Sequence, residues 1–288
     1  MKYEEKQFEF NTITRLNWGQ FKNHRVHTSS AICDAIKYLP QNQSESSIAI
    51  LGSGNGNDLD LKKIADTFSK IHLFDYDPVA LEHLKSQQLD GNPELLKSVV
   101  IEPPVDLTGI STDLDNLPAE LNDAQAQKLA EKTRQVKGIL PGRKFDVVVS
   151  TSLVTQLLAS VVSSLGDDSK YKNFMLLAIR DGHLKLMVDL IRPSGAGVLV
   201  SDFVSSDTLP ELATADSPES VLTVARKAID ERNFFTGTNP WAMKDALAKL
   251  IAENPFEPWN IATPWRWQIG ESRFYLVTAI NFSKQPSE

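Results

Sequence analysis

The chain has a single cysteine, Cys33, so no disulfide can close within it, and a cytoplasmic, reducing location is expected. Its apolar spacing marks it as a buried, inert thiol. No stretch reaches the roughly 18 apolar residues of a membrane-spanning helix, and the opening Met1-Lys2-Tyr3-Glu4-Glu5 is too polar for a secretory signal. Positive charge is in deficit: 30 Lys and Arg stand against 37 Asp and Glu, a net charge of −7. With no basic run to offset that total, general nucleic-acid binding is not expected, although a local basic groove stays open. His and acidic residues never cluster at metal-ligand spacing, so no metal is expected. Internal repeats and low-complexity tracts are missing as well.

What is present is ordinary for a globular chain: 288 residues, 41% hydrophobic and 23% charged, enough for one large α/β domain with additions. The organising stretch is Ser47–Leu61. An apolar run, Ile48 to Leu51, breaks into Gly52-Ser53-Gly54-Asn55-Gly56 and then into a helix. A strand, a glycine loop and a helix start let a backbone lie against a nucleotide-like ligand, because glycine has no Cβ and adopts positive φ freely. A dinucleotide fingerprint would put its third small residue at Asn57. The spacing here is G-x-G-x-G, with Asp58 following. A glycine turn without a ligand is the alternative reading of this stretch alone.

Residues 1–46 read as an N-terminal helical extension, with Thr28 or Ser29 capping a helix that carries Ile32, Ala35, Ile36 and Leu39 and stops at Pro40. Before it, Asn17 to His27 mixes aromatic, basic and His side chains without a period. Gln41–Ser47 is a polar linker. After the glycine loop, Leu61, Ile64, Ala65 and Phe68 give an amphipathic helix. A second strand, Ile71–Phe74, ends in Asp75-Tyr76-Asp77-Pro78, and Pro78 opens a helix. Val99–Ile101 is a third strand, followed by Asp106-Leu107. Residues 114–137 read as a helical insertion. Phe145–Ser150 is a central buried strand, Leu153–Leu165 and Tyr171–Ile191 are helices, and a Pro193–Gly195 turn leads to a strand at Val198–Phe203. Later come a helix at Val221–Ala228 and another begun by Asn239 and Pro240. The tail, Trp265–Gln268 and Phe274–Ile280 about Gly270, is an antiparallel hairpin.

In this order the pieces resemble the class I S-adenosylmethionine-dependent methyltransferases over about residues 47–281. The resemblance implies a doubly wound, seven-stranded, mostly parallel sheet with a C-terminal antiparallel hairpin and helices on both faces. An N-terminal arm through residue 46 would fold over cofactor and acceptor, or pack as an ordinary arm. It implies S-adenosylmethionine as cofactor, S-adenosylhomocysteine as product and a small-molecule acceptor. The cofactor would lie on Gly52, Ser53, Gly54 and Gly56. Asp75, 23 positions after Gly52 and beside Tyr76, would hold the ribose hydroxyls. Asp106 and Leu107 would meet the adenine, and Ser150 and Thr151 would face the methyl group. One departure stands out: the family's acid two residues before the first glycine is Ile50 here, and Asp58 could take over part of its contact with the methionine end.

No acceptor signature appears; Ser150-Thr151-Ser152-Leu153 stands where base-methylating enzymes carry Asn/Asp-Pro-Pro-Tyr. The aromatics Trp241, Phe256, Trp259, Trp265 and Trp267 either wall an acceptor pocket or fill the core. If the acceptor arrives protonated, His183, His24 and His27 are the candidate bases, with a structural role the alternative for His183. Two other classes remain: a non-catalytic binding domain on the same fold, supported by Ile50, and a nicotinamide oxidoreductase, opposed by Asn57 and the terminal hairpin.

Overall fold

The computed structural model describes residues 2–40, 46–118, 120–251 and 259–284; Phe256 and most of the expected 41–47 linker lie outside them. The expected strands pair into one sheet. β1 (Ser47–Leu51), β2 (Lys70–Phe74), β3 (Val99–Ile101), β4 (Phe145–Thr151) and β5 (Ile191–Ser205) are parallel, in the order β3-β2-β1-β4-β5. The order reverses between β1 and β4, the switch point at which such sheets bind ligands. All seven residues of β4 are buried, because helices cover both faces of the sheet. Alternation sorts β1: Ala49 and Leu51 enter one core, Ile48 and Ile50 the other.

Beyond β5 the sheet turns antiparallel. β6 (Asn260–Ile261) and β7 (Trp265–Ile269) pair with successive stretches of β8 (Arg273–Ser283), which itself pairs with β5. β6 and β7 are thus one edge strand interrupted at 262–264, where Pro264 has no N–H to give. Counted by position, this is the seven-strand layout that the resemblance implies, with its edge strand in two pieces.

The N-terminal region holds two helices, α1 (Tyr3–Thr14) and α2 (Lys22–Asp34), the latter continued by a 3₁₀ turn at Ala35–Tyr38. One expectation fails here, the cap at Thr28 or Ser29. α1 carries no apolar stripe that would have announced it; its start is tied by Lys2 N–H donating to Glu5 Oε2 at 3.1 Å. α2 begins six residues before Thr28, so Thr28 and Ser29 lie buried within it, not at its cap. Ser29 Oγ instead accepts from Asp60 N–H at 2.9 Å: a tertiary contact has overridden the local capping preference.

Along the sheet run α3 (Leu61–Ala65), α4 (Pro78–Leu84), α5 (Pro93–Ser98) and α6 (Ser111–Asp115). The 114–137 insertion contains α7 (Asp123–Thr133), started by reciprocal hydrogen bonds between Asn122 and Gln125. α8 (Leu153–Leu165) and α9 (Lys172–Leu190) follow, then α10 (Pro218–Asp230) and α11 (Pro240–Ile251). α7 sits close on α9 at Gly182, where a Cβ would lie 2.5 Å from Thr133 O. Among the described residues no helix is long and apolar enough to cross a membrane.

Candidate functional site

The glycine loop leaves β1 and is fastened to the end of β2: Gly52 and Ser53 N–H groups both donate to Phe74 O, at 2.9 and 3.1 Å. Gly52, Gly54 and Gly56 have φ of +75°, +47° and +71°, which a side chain at these positions would disfavour. Gly54 N–H then donates to Asp75 Oδ2 at 2.7 Å, while Asp77 N–H donates to Asp75 Oδ1 at 2.9 Å. Asp75 is buried, and that burial pushes its carboxyl up to about 6 against these hydrogen bonds. Tyr76 N–H is a third backbone donor to this carboxyl, which leaves it one further lone-pair site.

Asp75 opens one end of a cavity of about 530 Å³ that runs across the carboxyl ends of the strands, a volume usual for a small-molecule site. At its other side stands Asp202, in the last stretch of β5. Thr155 Oγ1, from the first turn of α8, donates to Asp202 Oδ1 at 2.7 Å. Burial holds this carboxyl too at about 6, with Asp58 pushing the same way and His24 opposing. β1 and β4 lie between the strands that carry the two acids, so three inter-strand steps, roughly 14 Å, separate their ends. Ser152 lines the middle and takes a left-handed φ of +48°, which turns β4 sharply into α8.

The N-terminal arm forms the outer wall. Asn55 Nδ2 donates to Asn11 O at 2.7 Å and to Thr14 Oγ1 at 3.3 Å, and Asn57 Nδ2 donates to Thr14 O at 2.7 Å. The loop's asparagines therefore satisfy carbonyls left over at the end of α1. Gln7 Nε2 fixes the middle of α1 to Ser160 Oγ of α8 at 2.7 Å. Phe10, Phe21, Phe235, Trp267 and Tyr275 supply the aromatic part of the lining.

Six of the residues proposed from sequence come together on this cavity: Gly52, Ser53, Gly54, Gly56, Asp58 and Asp75. Five others sit elsewhere. Tyr76 packs against Tyr3 and Phe8 of α1, with ring centroids 6.3 and 5.9 Å away. Asp106 is occupied by its own turn, accepting from Thr108 N–H and Oγ1 and from Ser111 N–H. Leu107 is core. Ser150 Oγ bonds His183 Nε2 at 2.8 Å, and Thr151 Oγ1 donates to Gly52 O at 3.1 Å.

None of the three histidines lines the cavity. His183 is buried with Nδ1 unpartnered, and burial lowers it to about 4, so it is neutral. His27 stacks on Trp265 at 5.1 Å; burial, and then His24, lower its pKa. His24 is fully buried and stacks on Trp267 at 4.2 Å. Trp265 Nε1–H donates to its Nδ1 at 3.0 Å. The neutral ring therefore carries its proton on Nε2, which faces Ser152 Oγ at 3.5 Å and Asp58 Oδ1 at 3.6 Å. In that state His24 donates and cannot act as a base.

Sequence reasoning overlooked Asp202, Thr155, Asn55 and Asn57. A signal for Asp202 was present, since Ser201-Asp202 is a polar pair near the carboxyl end of an otherwise apolar parallel strand. In the sequence Asn55 reads only as part of the glycine loop, and Asn57 only as the residue that breaks a dinucleotide fingerprint.

No family profile matches the chain, and no curated protein sequence matches it. Solved structures do. Several of these are methyltransferases, CalS10 and NodS among them. CalS10, an amino pentose methyltransferase from Micromonospora echinaspora bound to S-adenosylmethionine, is 16% identical at a TM-score of 0.33, over 59% of this chain and 48% of that one. DesVI from Streptomyces venezuelae is 14% identical at 0.37, over 67% of this chain and 57% of that one. The chain therefore spans only about half the length of these two. The N-methyltransferase NodS from Bradyrhizobium japonicum WM9, in complex with S-adenosylhomocysteine, is 12% identical at 0.40, over 88% and 86%.

Proposed function

We propose that the protein is an S-adenosylmethionine-dependent methyltransferase acting on a small-molecule acceptor. One observation carries this reading: a left-handed glycine loop and the buried Asp75 that it binds share a cavity at the switch point of the sheet. The polar atoms of that cavity suit a cationic, donor-rich cofactor. Asn55 Oδ1, Asn57 Oδ1 and Asp58 Oδ1 are buried there with no hydrogen bond among the described residues, Asp58 Oδ1 facing only His24 Nε2 at 3.6 Å. Asp75 would take a ribose hydroxyl at its remaining site, and the three orphan oxygens would take the ammonium of the methionine end. They would stand in for the acid missing at Ile50, whose side chain is packed into the core with Val147 and Val149. Bound S-adenosylmethionine supplies a methyl group on a sulfonium leaving group.

The chain's own contribution is alignment and exclusion of water. The arm, residues 1–46, serves as the lid: α1 closes the cavity from above, and Phe21 of the Trp18–His27 segment enters its wall. Asp106, suggested for the adenine, and Tyr76, suggested beside the ribose, lie under Tyr3, whose hydroxyl is held well above its usual range by burial and by Asp106. Contact between those two residues and a cofactor requires the start of α1 to move.

Calorimetric titration with S-adenosylmethionine, S-adenosylhomocysteine and NAD tests the reading. Binding of the first two and not the third is expected; binding of NAD alone would overturn it. Ile50 favours a second reading, a binding domain without catalysis. A bound cofactor that no acceptor in a broad panel ever demethylates would establish that one instead.

A further inference from the structure

The cavity is richer in negative charge than its cofactor alone accounts for. Two cations line it, and both are paired: Arg273 with Asp207 at 2.6 Å, and Lys172 at 3.9 Å with Asp167, which lines the cavity too. Asp58, Asp75 and Asp202 line it with no Lys or Arg ion pair among the described residues. Asp75 belongs to the glycine-loop end. Asp202 stands away from it, 4% exposed; Thr155 holds one oxygen, its own backbone N–H also bonds the carboxyl, and no other side chain among the described residues donates to it. Around it are Thr155 from α8, Asp58 from the loop, His24 from α2 and Tyr275 from β8. His24 offers only its Nε2–H to this side, so among these groups the carboxylates Asp202 and Asp58 can accept a proton, and Asp58 belongs to the glycine-loop end. Phe235, Trp267, Ile269, Tyr275 and Leu158 give the same end of the cavity an apolar wall.

On the methyl-transfer reading above, we propose that the acceptor is a small amine with an apolar body, and that Asp202 receives its ammonium group and takes its proton. The N–H bond breaks and the proton passes to the carboxylate oxygen that Thr155 does not hold. The released lone pair forms the N–C bond as the donor's C–S bond breaks, its electrons staying on sulfur. A buried carboxyl raised above the ordinary range is a stronger base than a solvated one, and a cation opposite it offsets the cost of burying the charge. A carboxylate acceptor would meet repulsion from Asp58 and Asp202, and a neutral alcohol would leave the charge unmatched.

The test needs no knowledge of the natural acceptor. Phenethylamine, phenethyl alcohol and phenylacetate are titrated into the intact protein at pH 8, with S-adenosylhomocysteine titrated in parallel. The amine is expected to bind at least about tenfold more tightly than the alcohol, as a charge-assisted contact should, and phenylacetate least. Asp202→Asn should erase the preference and leave the S-adenosylhomocysteine affinity unchanged, while Asp202→Glu retains the preference. Equal binding of amine and alcohol by the wild-type protein overturns the proposal without recourse to any variant, and so does an undiminished preference in a folded Asp202→Asn protein. If the amine preference holds but S-adenosylhomocysteine does not bind, the methyltransferase reading fails and the amine site stands.

Discussion

Two aspartates two residues apart divide their work at the end of β2. Asp75 keeps a lone pair toward the cavity, whereas Asp77 caps α4 through Val79 N–H at 2.8 Å and accepts from Asn11 Nδ2 at 3.2 Å. Asp75→Ala should weaken S-adenosylhomocysteine binding by about 1.5–3 kcal/mol with a charge-assisted acceptor gone. Asp77→Ala should instead cost about 1 kcal/mol of stability, a lost cap, and leave binding near wild type. Calorimetry beside thermal melts separates the two, and a larger binding loss at Asp77 would reverse the assignment. Asp202 makes a pH-dependent prediction. Its folded pKa, about 6, is raised above the unfolded value near 3.8. The native state therefore binds the proton more tightly, and stability falls as pH rises from about 4 to 6. Asp202→Asn removes that penalty, so at pH 8 the unliganded variant should be more stable than wild type by up to about 3 kcal/mol. The gain should shrink through pH 6 and vanish near pH 4. A variant less stable than wild type at pH 8 would contradict the burial argument.

At the scale of elements, α1 is the piece least legible in the sequence. Tyr3 and Phe10, seven residues apart, share a face yet meet Tyr76 and the cavity respectively, while Phe8, stacked on Tyr76, stands about 140° round the helix from Tyr3. A periodicity test looks for a single buried face and misses such a helix. The strands were legible for the opposite reason: β1, β2 and β4 are short apolar runs whose only neighbours are other strands and covering helices. With Tyr3 lying over Tyr76 and Asp106, ligand entry should loosen the first turn of α1 and leave its last turn held by Asn55 and Asn57. Hydrogen exchange with and without S-adenosylhomocysteine should show faster exchange at residues 3–7, with α9 unchanged; no change in α1 would make the helix packing alone. α9 has its own test. Gly182→Ala places a Cβ against a backbone carbonyl that cannot turn aside, and overpacking of that kind costs about 1–3 kcal/mol. A melting temperature equal to wild type would mean that α7 slides freely on α9.

Across the whole molecule, the two ends of the chain close the same site. Asn281 Nδ2 donates to Ala31 O at 2.9 Å, Asn23 Nδ2 to Arg266 O at 3.2 Å, and Gly270 N–H to Gln20 Oε1 at 3.1 Å. Phe21 meets Trp267 edge-on at 5.2 Å. A single sequence shows a helical arm and a hairpin but not that they meet, since nothing local encodes a contact across about 250 positions. The motif order made the glycine loop and Asp75 legible; this closure left Asp202 hidden and, of the aromatic wall, only Trp267 legible. Because arm and hairpin share a buried interface, they should unfold together. Trp265 and Trp267 stand at that interface against His24, His27 and Phe21, so tryptophan fluorescence and far-ultraviolet dichroism should report one coincident transition. A ligand bound at 100 times its Kd adds about 2.7 kcal/mol. Spread over an unfolding entropy of about 2.1 cal/mol/K per residue, that raises the midpoint of a chain this long by about 4–5 °C in both signals alike. A fluorescence transition that runs ahead of the dichroism and ignores the ligand would show an arm that folds apart from the site, and the lid would have to be abandoned.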